Sequence, residues 1–403
     1  MMTDIRLPHN QTPHRSITPL LLSAVVFAFT TTLGFSQDST RVPTAVRGGI
    51  YDRPYLFRSA DRIAIGGYAE SMVRAEYGQG VFENISFEAR RFNIFLFSSI
   101  SNLIKLTSEL EFEHGTEEIK LETALVDIQF LEEVSLRGGI LLSPLGKFNI
   151  AHDSPRNEFT DRPLVSTRVI PATLSEAGFG FYGSLYPFHE HRLTYEAYLV
   201  NGLNDNVLLG ADGTTIPAGR PDAFEEDNNG SPSFVGRVAW IPDFGIELGA
   251  SIHTGIYNTF KKEGLVIDDK RRLTIWAVDC DYHAGDLVLQ GEYARASIDI
   301  PPSLLGLFAQ SQHGFYVQAT YEVVRNTLPM FPKSVLSIGS RYDYVDLDTK
   351  VTGDDTQRLT AGINLRLVPE TVIKLDYQLN WMFDRLNNET RSEVIQFGLA
   401  TYF

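Results

Sequence analysis

The sequence predicts an all-β chain closed into a transmembrane antiparallel β-barrel of about 16 strands. Three observations carry that expectation. Segment after segment alternates apolar and polar residues with the period of two that a strand imposes. The connections between segments are alternately short and mostly long, and beyond residue 36 no apolar run approaches the roughly 20 residues a helix needs to cross a bilayer.

The chain begins with a basic, acid-poor stretch (Arg6, His9, His14 and Arg15 against Asp4), then an apolar run from Leu20 to Phe29, then small and polar residues to Gly34-Phe35-Ser36. That is the layout of a secretory leader cut before Gln37, too short in its apolar part to span a membrane. Residues 1–36 are therefore expected to be removed on export, and residues 37–61, which lack alternation, form a periplasmic N-terminal segment able to plug or cap the barrel.

The alternation starts near residue 62 and continues to the last residue. Ile104, Leu106, Ser108, Leu110 and Phe112 face away from Lys105, Thr107, Glu109, Glu111 and Glu113; near the end, Ile373, Leu375, Tyr377, Leu379 and Trp381 face away from Lys374, Asp376, Gln378 and Asn380. Strands are predicted at 62–77, 85–98, 103–114, 117–131, 134–142, 177–186, 191–201, 234–241, 245–256, 271–283, 286–298, 313–325, 335–345, 356–367, 371–384 and 392–403. Phase breaks at Arg90-Arg91 and at Asp127 mark possible bulges in the second and fourth strands. Short links such as Ala284-Gly285 and Val368-Pro369-Glu370 alternate with the long stretches Ser143–Glu176 and Gly202–Ser233.

Short turns on one side and long loops on the other are the organisation of a barrel in the bacterial outer membrane, with apolar faces toward lipid and polar faces toward a lumen. A soluble sandwich or propeller explains strands but not alternating loop lengths. Tyr51, Tyr77, Tyr186, Tyr257, Tyr282 and Tyr344 near strand ends fit an interfacial girdle. The chain closes on Ile395, Phe397, Leu399, Thr401 and Phe403 along one face, similar to the terminal strand read by barrel-assembly machinery, with Thr401 where a larger apolar residue is usual.

Composition excludes other classes. One Cys rules out a disulfide framework and a Cys-based zinc site, and 50 acidic against 35 basic residues, net −15, leave no footprint for nucleic acid. Cys280 alternates with Trp276, Val278 and Tyr282 and belongs to the lipid face. Ser251 and His253 share a lumen-facing strand face but have no identifiable third member of a catalytic set, so no enzyme is expected. No cofactor or metal is expected; Asp222, Glu225, Glu226 and Asp227 in the loop after residue 202 read as a solvated surface rather than a cation site toward lipopolysaccharide.

The inward-facing charges predict pore-lining residues at Glu70, Arg74, Glu109, Asp279, Asp281, Glu292, Arg341, Arg358 and Arg366. Glu111, Glu113, Glu117, Glu118 and Glu122 add an acid-rich patch near the loop rim that could bias the lumen toward cations.

Several stretches resemble the phosphate-selective porins O and P: Gly66-Gly67-Tyr68, Tyr195 to Gly202, Gly236 to Pro242, Leu287 to Tyr293, Arg341-Tyr342-Asp343 and Leu359 to Asn364, in that order over residues 62–403. The resemblance implies a homotrimeric diffusion channel whose third external loop, here 143–177, folds inward as a constriction. That loop carries Lys147, Asp153, Arg156, Glu158, Asp161, Arg162, Arg168 and Glu176, basic and acidic in equal number, so no dense basic ladder supports phosphate specificity.

Two functions stay open at this point. One is a passive porin that lets small hydrophilic solutes or ions cross, surrounded by outer-membrane lipid and lipopolysaccharide. The other is a structural or adhesive barrel with a blocked lumen and partner-binding loops.

Overall fold

A computed structural model describes residues 49–50, 52–54, 62–115, 117–188, 191–210, 213–220, 224, 226–242 and 245–403. The predicted leader lies outside the described residues, as do Tyr51, Asp222 and Glu225.

The chain forms β1 (Ile63–Gly78), β2 (Val81–Ser99), β3 (Ile104–Glu113), β4 (Glu118–Gln129), β5 (Ser135–Leu142), β6 (Ser175–Phe188), β7 (His191–Val200), β8 (Ser233–Ile241) and β9 (Ile246–Ile256). Then come the short β10 (Lys261–Lys262) and β11 (Leu265–Val266), and β12 (Arg272–Ala284), β13 (Leu287–Ile298), β14 (Ser311–Arg325), β15 (Val335–Asp346), β16 (Asp355–Val368), β17 (Thr371–Phe383) and β18 (Glu389–Tyr402). All but β10 and β11 join one closed antiparallel barrel of 16 strands, with β1 paired to both β2 and β18; β10 and β11 make a separate hairpin in an external loop. Closure matters because a bilayer core offers no water to an unpaired strand edge.

The predicted faces hold. In β18 the odd-numbered residues Ile395, Phe397 and Leu399 are 41–49% exposed toward lipid, while Val394, Gln396 and Ala400 between them are buried inside. The terminal Phe403 stacks on Phe92 of β2, ring centroids 5.6 Å apart. Thr401 pairs with Thr371 on the neighbouring strand, hydroxyl to hydroxyl at 2.7 Å, which gives the small residue a partner in the lipid-facing layer.

Bulges decide which charges reach the lumen. Glu70 pairs with Arg91 and Ser71 with Ala89, so Arg90 is the extra residue of β2, and Arg90 and Arg91 both turn inward. In β4 the bulge sits at Glu122, not Asp127: Glu109 pairs with Thr123 and Leu110 with Leu121, so Glu122 and Thr123 are both buried while Asp127 stays in phase. A further register shift at Glu76/Tyr77 hid the start of β2, which begins at Val81 after a two-residue hairpin, Gln79-Gly80. Both turn residues have positive φ, 53° and 79°, as the tight hairpin of twisted strands requires.

Candidate functional site

β5 is short, and the chain leaves it at Ser143 to run through the barrel interior until Ser175 opens β6. The loop therefore ends before residue 177, and Glu176 belongs to the wall, where it accepts a hydrogen bond from Ser143 and lies 3.0 Å from His253 Nε2. Two short helices punctuate the loop, α1 (Lys147–Ile150) and α2 (Leu164–Arg168). Gly146 enters α1 with φ 68°, and a side chain there would sit 2.6 Å from a Glu292 carboxylate oxygen, so the close approach requires glycine.

Loop and wall are joined almost all the way round. Gly146 N donates to Ser251 Oγ (2.9 Å), Lys147 Nζ reaches Glu247 (3.0 Å) and Asp281 (2.6 Å), and Glu292 accepts from Phe148 N (3.1 Å) and Ser166 Oγ (2.9 Å). Farther along, Leu164 N donates to Asp343, Arg341 to Asp161 O, and Arg358 to Arg162 O. Glu158 accepts from Asn364 and Arg366 at 2.7 Å each, and Thr160 N donates to Asp376.

Asp161 is the centre of these contacts. Its carboxylate accepts from Arg74 (3.1 Å), Arg90 (3.1 Å), Gln378 (3.1 Å) and Gln396 (3.0 Å), which come from β1, β2, β17 and β18. Burial alone would raise its pKa; Arg90, Arg358 and Arg74 instead hold it far below the ordinary carboxylate value. Glu158 is likewise lowered, Arg366 overcoming its burial.

The loop divides the lumen unevenly. Leu145, Val165, Val169, Ile170 and Leu174 pack with Leu203, Val207 and Ile216 of the next long loop against Val235, Ile275, Ala277, Ala294, Ala296, Tyr316 and Val345 of the wall. Most of the inner face from β8 to β14 is thus apolar in its external half, where a uniformly polar lining was expected; Ser251 and His253 of β9 are polar exceptions, engaged with Gly146 and Glu176. Its charges lie deeper: Arg237 bridges Asp279 and Glu247, and Lys147 bridges Glu247 and Asp281.

On the opposite side, a cavity of about 360 Å³ opens between the loop and β2–β4. Arg90, Arg91, Lys120, Arg162, Arg220 and Arg358 line it with His114, against the acids Glu113, Glu118 and Asp161. The sequence showed no such basic cluster because its members come from two strand bulge positions, two other strands and two loops. The phase break at Arg90-Arg91 was its one visible signal.

The predicted pore-lining residues all face inward, but Glu70, Glu109, Asp279, Asp281, Glu292, Arg341 and Arg358 are buried in contacts rather than bathed by a wide lumen: the loop binds most of them, Arg53 and Asn93 hold Glu109, and Arg237 holds Asp279. Arg74 and Arg366 are partly buried and also bound to the loop. Among the predicted loop residues, Arg168 is exposed at the end of α2 and joins no ion pair among the described residues. Tyr257 is buried with its hydroxyl on Asp299 O, so it is no girdle residue. Ser251 and His253 are each engaged elsewhere, with Gly146 and Glu176, and no hydrogen bond joins them among the described contacts.

Residues 49–54, expected in the periplasm or as a plug, sit within the barrel where they are described. Arg53 is 1% exposed; its guanidinium meets Asp153 (2.9 and 3.0 Å) and Glu109 (2.7 Å) and lies 3.5 Å over the Phe95 ring. Asp52 pairs with Arg156, and Ile50 packs on Leu142 and Ile150.

No family model matches the chain. An uncharacterized protein of Aquifex aeolicus (strain VF5) is 26% identical over 358 residues, covering 81% of this chain and 78% of that protein. Among solved structures the chain is similar to the anion-selective porin from Comamonas acidovorans (11% identity, TM-score 0.54, 85% of this chain and 99% of that one). It is also similar to the outer membrane channel DcaP of Acinetobacter baumannii (9%, 0.55, 85% and 97%) and to Salmonella typhi OmpF in complex with daunomycin (12%, 0.55, 86% and 99%).

Proposed function

We propose that this outer-membrane barrel, which has the porin fold, is a passive channel and not an enzyme: small hydrophilic solutes or ions cross it on the charged side of the lumen, drawn in at the basic cavity. The observation that carries the reading is that cavity, where six basic side chains face three acidic ones at the external side of the loop. Closely spaced charges of one sign set selectivity in a pore, so anions should enter preferentially although the chain as a whole is acidic. The reading needs no cofactor or energy source. The likeness to the phosphate-selective porins O and P supports a homotrimer embedded in lipid and lipopolysaccharide, and the mixed charges argue against strict phosphate selection.

The test is the single-channel conductance and reversal potential of the refolded protein in a planar bilayer under a salt gradient. Stable steps with an anion-signed potential are expected. Silence from folded barrels would favour a second reading, a structural or adhesive barrel with a blocked lumen; the burial of Arg53 inside the barrel is the observation on its side.

A further inference from the structure

We propose that Phe95, Glu109 and Asp153 form a guanidinium-binding site inside the lumen, and that Arg53 is its tethered, displaceable occupant. The site would take solutes bearing a guanidinium group. For its pore readout this inference rests on the channel reading above.

Three separate elements supply the parts. Phe95 of β2 gives an aromatic face, Glu109 of β3 a single carboxylate oxygen, and Asp153 of the inward loop a two-oxygen fork that receives Nε and Nη2 of the same guanidinium. A planar cation laid on a ring and gripped along one edge by a carboxylate is the arrangement guanidinium satisfies and a compact ammonium does not.

The acids are held in place by groups other than Arg53. Asn93 Nδ2 donates to Glu109 Oε1 at 2.7 Å, and the Tyr402 hydroxyl donates to Asp153 Oδ2 at 2.9 Å. The cage is therefore set by wall residues and keeps its shape when the occupant leaves. Vacating it would leave two buried carboxylates facing an aromatic ring in a region already carrying Glu111 and Glu122, a concentration of acid that favours a replacement cation in competition with protonation.

The occupant, in contrast, comes from outside the barrel wall, on a segment that precedes β1. Besides Arg53, its attachments include Arg156, which donates to both the carboxylate and the carbonyl of Asp52, and the apolar contacts of Ile50. An internal arginine held in this way both blocks the site and neutralises it, so its departure should expose a cation-attracting station beside the anion-attracting mouth.

The experiment uses the full chain carrying Arg53→Ala, refolded and checked by heat-modifiable migration, with methylguanidinium as the probe. Calorimetry should show saturable binding to the variant and none to the wild type at the same concentrations, and the probe should reduce the variant's conductance while sodium at equal ionic strength does not. Adding Phe95→Leu should weaken that binding about tenfold. Should Arg53→Ala fail to fold, Arg53→Lys keeps the charge but loses the fork, and methylguanidinium should then bind it more tightly than it binds wild type. Absence of saturable binding to the folded variant overturns the proposal. Binding with silent bilayers would overturn the channel reading alone.

Discussion

From β8 to β14 the external half of the inner wall is mostly apolar, with Val235, Ile275, Ala277 and Ala294 under the loop residues Val165, Val169, Ile170 and Leu174; from β15 round through β1 to β4 the same height carries Asp343, Arg358, Arg74, Arg90, Arg91 and Glu113. Apolar contacts are non-directional and fill space, so the first region is sealed at close packing. Ion pairs and hydrogen bonds are directional and leave room between groups that must each be satisfied, and the second region keeps an open cavity beside its salt bridges. One loop thus does two jobs with its two halves. It is glued to one side of the barrel and suspended across the other.

The comparison breaks most visibly at Asp161. Replacing Asp161 with Ala removes the acceptor shared by Arg74, Arg90, Gln378 and Gln396; Arg74 keeps Glu76 and Arg90 keeps the Thr160 carbonyl, so the loss of this partly buried anchor should cost about 1–3 kcal/mol. The suspended half of the loop should swing free, with a severalfold rise in single-channel conductance. The pH dependence has a fixed sign: because the folded pKa is lowered, the anchor is fully present above the unfolded value near 4 and is lost only as pH falls through the still lower folded value. The difference in conductance between the unmutated protein and Asp161→Ala should therefore be the same at pH 7 and pH 5; a difference that shrank at pH 5 would remove Asp161 from its role.

On the glued side the readouts separate. Leu174→Ala leaves a cavity among fully buried apolar neighbours and should cost about 2–5 kcal/mol, read as a lower urea midpoint for barrel unfolding. Reversal potential and conductance should stay where they were. If conductance rose as it does for Asp161→Ala, the apolar side would be a gate and not a seal.

How much of this was legible depends on the range of the signal. The strands were, because alternation is local: every lipid-facing residue of β18 is two positions from the next. The run Ile275-Trp276-Ala277-Val278 is apolar on both faces, a local signal that the reading by alternation passed over; the inner two meet the loops. Bulges were half legible, found at Arg90 and displaced from Asp127 to Glu122, because one extra residue shifts phase without saying where in the strand it was inserted. The Arg53 cage had no sequence signal at all. Its acceptors lie 56 and 100 residues away, and nothing in a stretch without alternation distinguishes an arginine that will be buried from one that will be solvated.

A smaller effect sharpens the cavity's part in selectivity. Arg90→Gln with Arg91→Gln keeps donors at the bulge but withdraws two charges from the mouth, one of them paired with Asp161 and the other with Glu70 and Glu113. A charge a few ångströms from a permeant ion through water is worth about 1 kcal/mol, a factor of about five in relative permeability. The reversal potential should move toward cations by that amount with conductance little changed, and an unmoved potential would place the selective step elsewhere.

The smallest effect tests whether the outer face of the charged half is independent of the inner one. Thr371 and Thr401 share a hydrogen bond at the β17–β18 seam, and the Thr401 hydroxyl also lies 3.1 Å from Tyr402 O. Thr371→Val leaves Thr401 that second acceptor, whereas Thr401→Val strips Thr371 of the partner this pair provides. The second change should therefore cost more, roughly 1 kcal/mol against a few tenths. The double change should recover most of the loss, since two methyl groups meeting in the lipid-facing layer leave no hydroxyl unmet. Urea midpoints of the three variants measure the cycle. None of them should shift the reversal potential, because the pair faces away from the lumen on the side of Leu399 and Phe403.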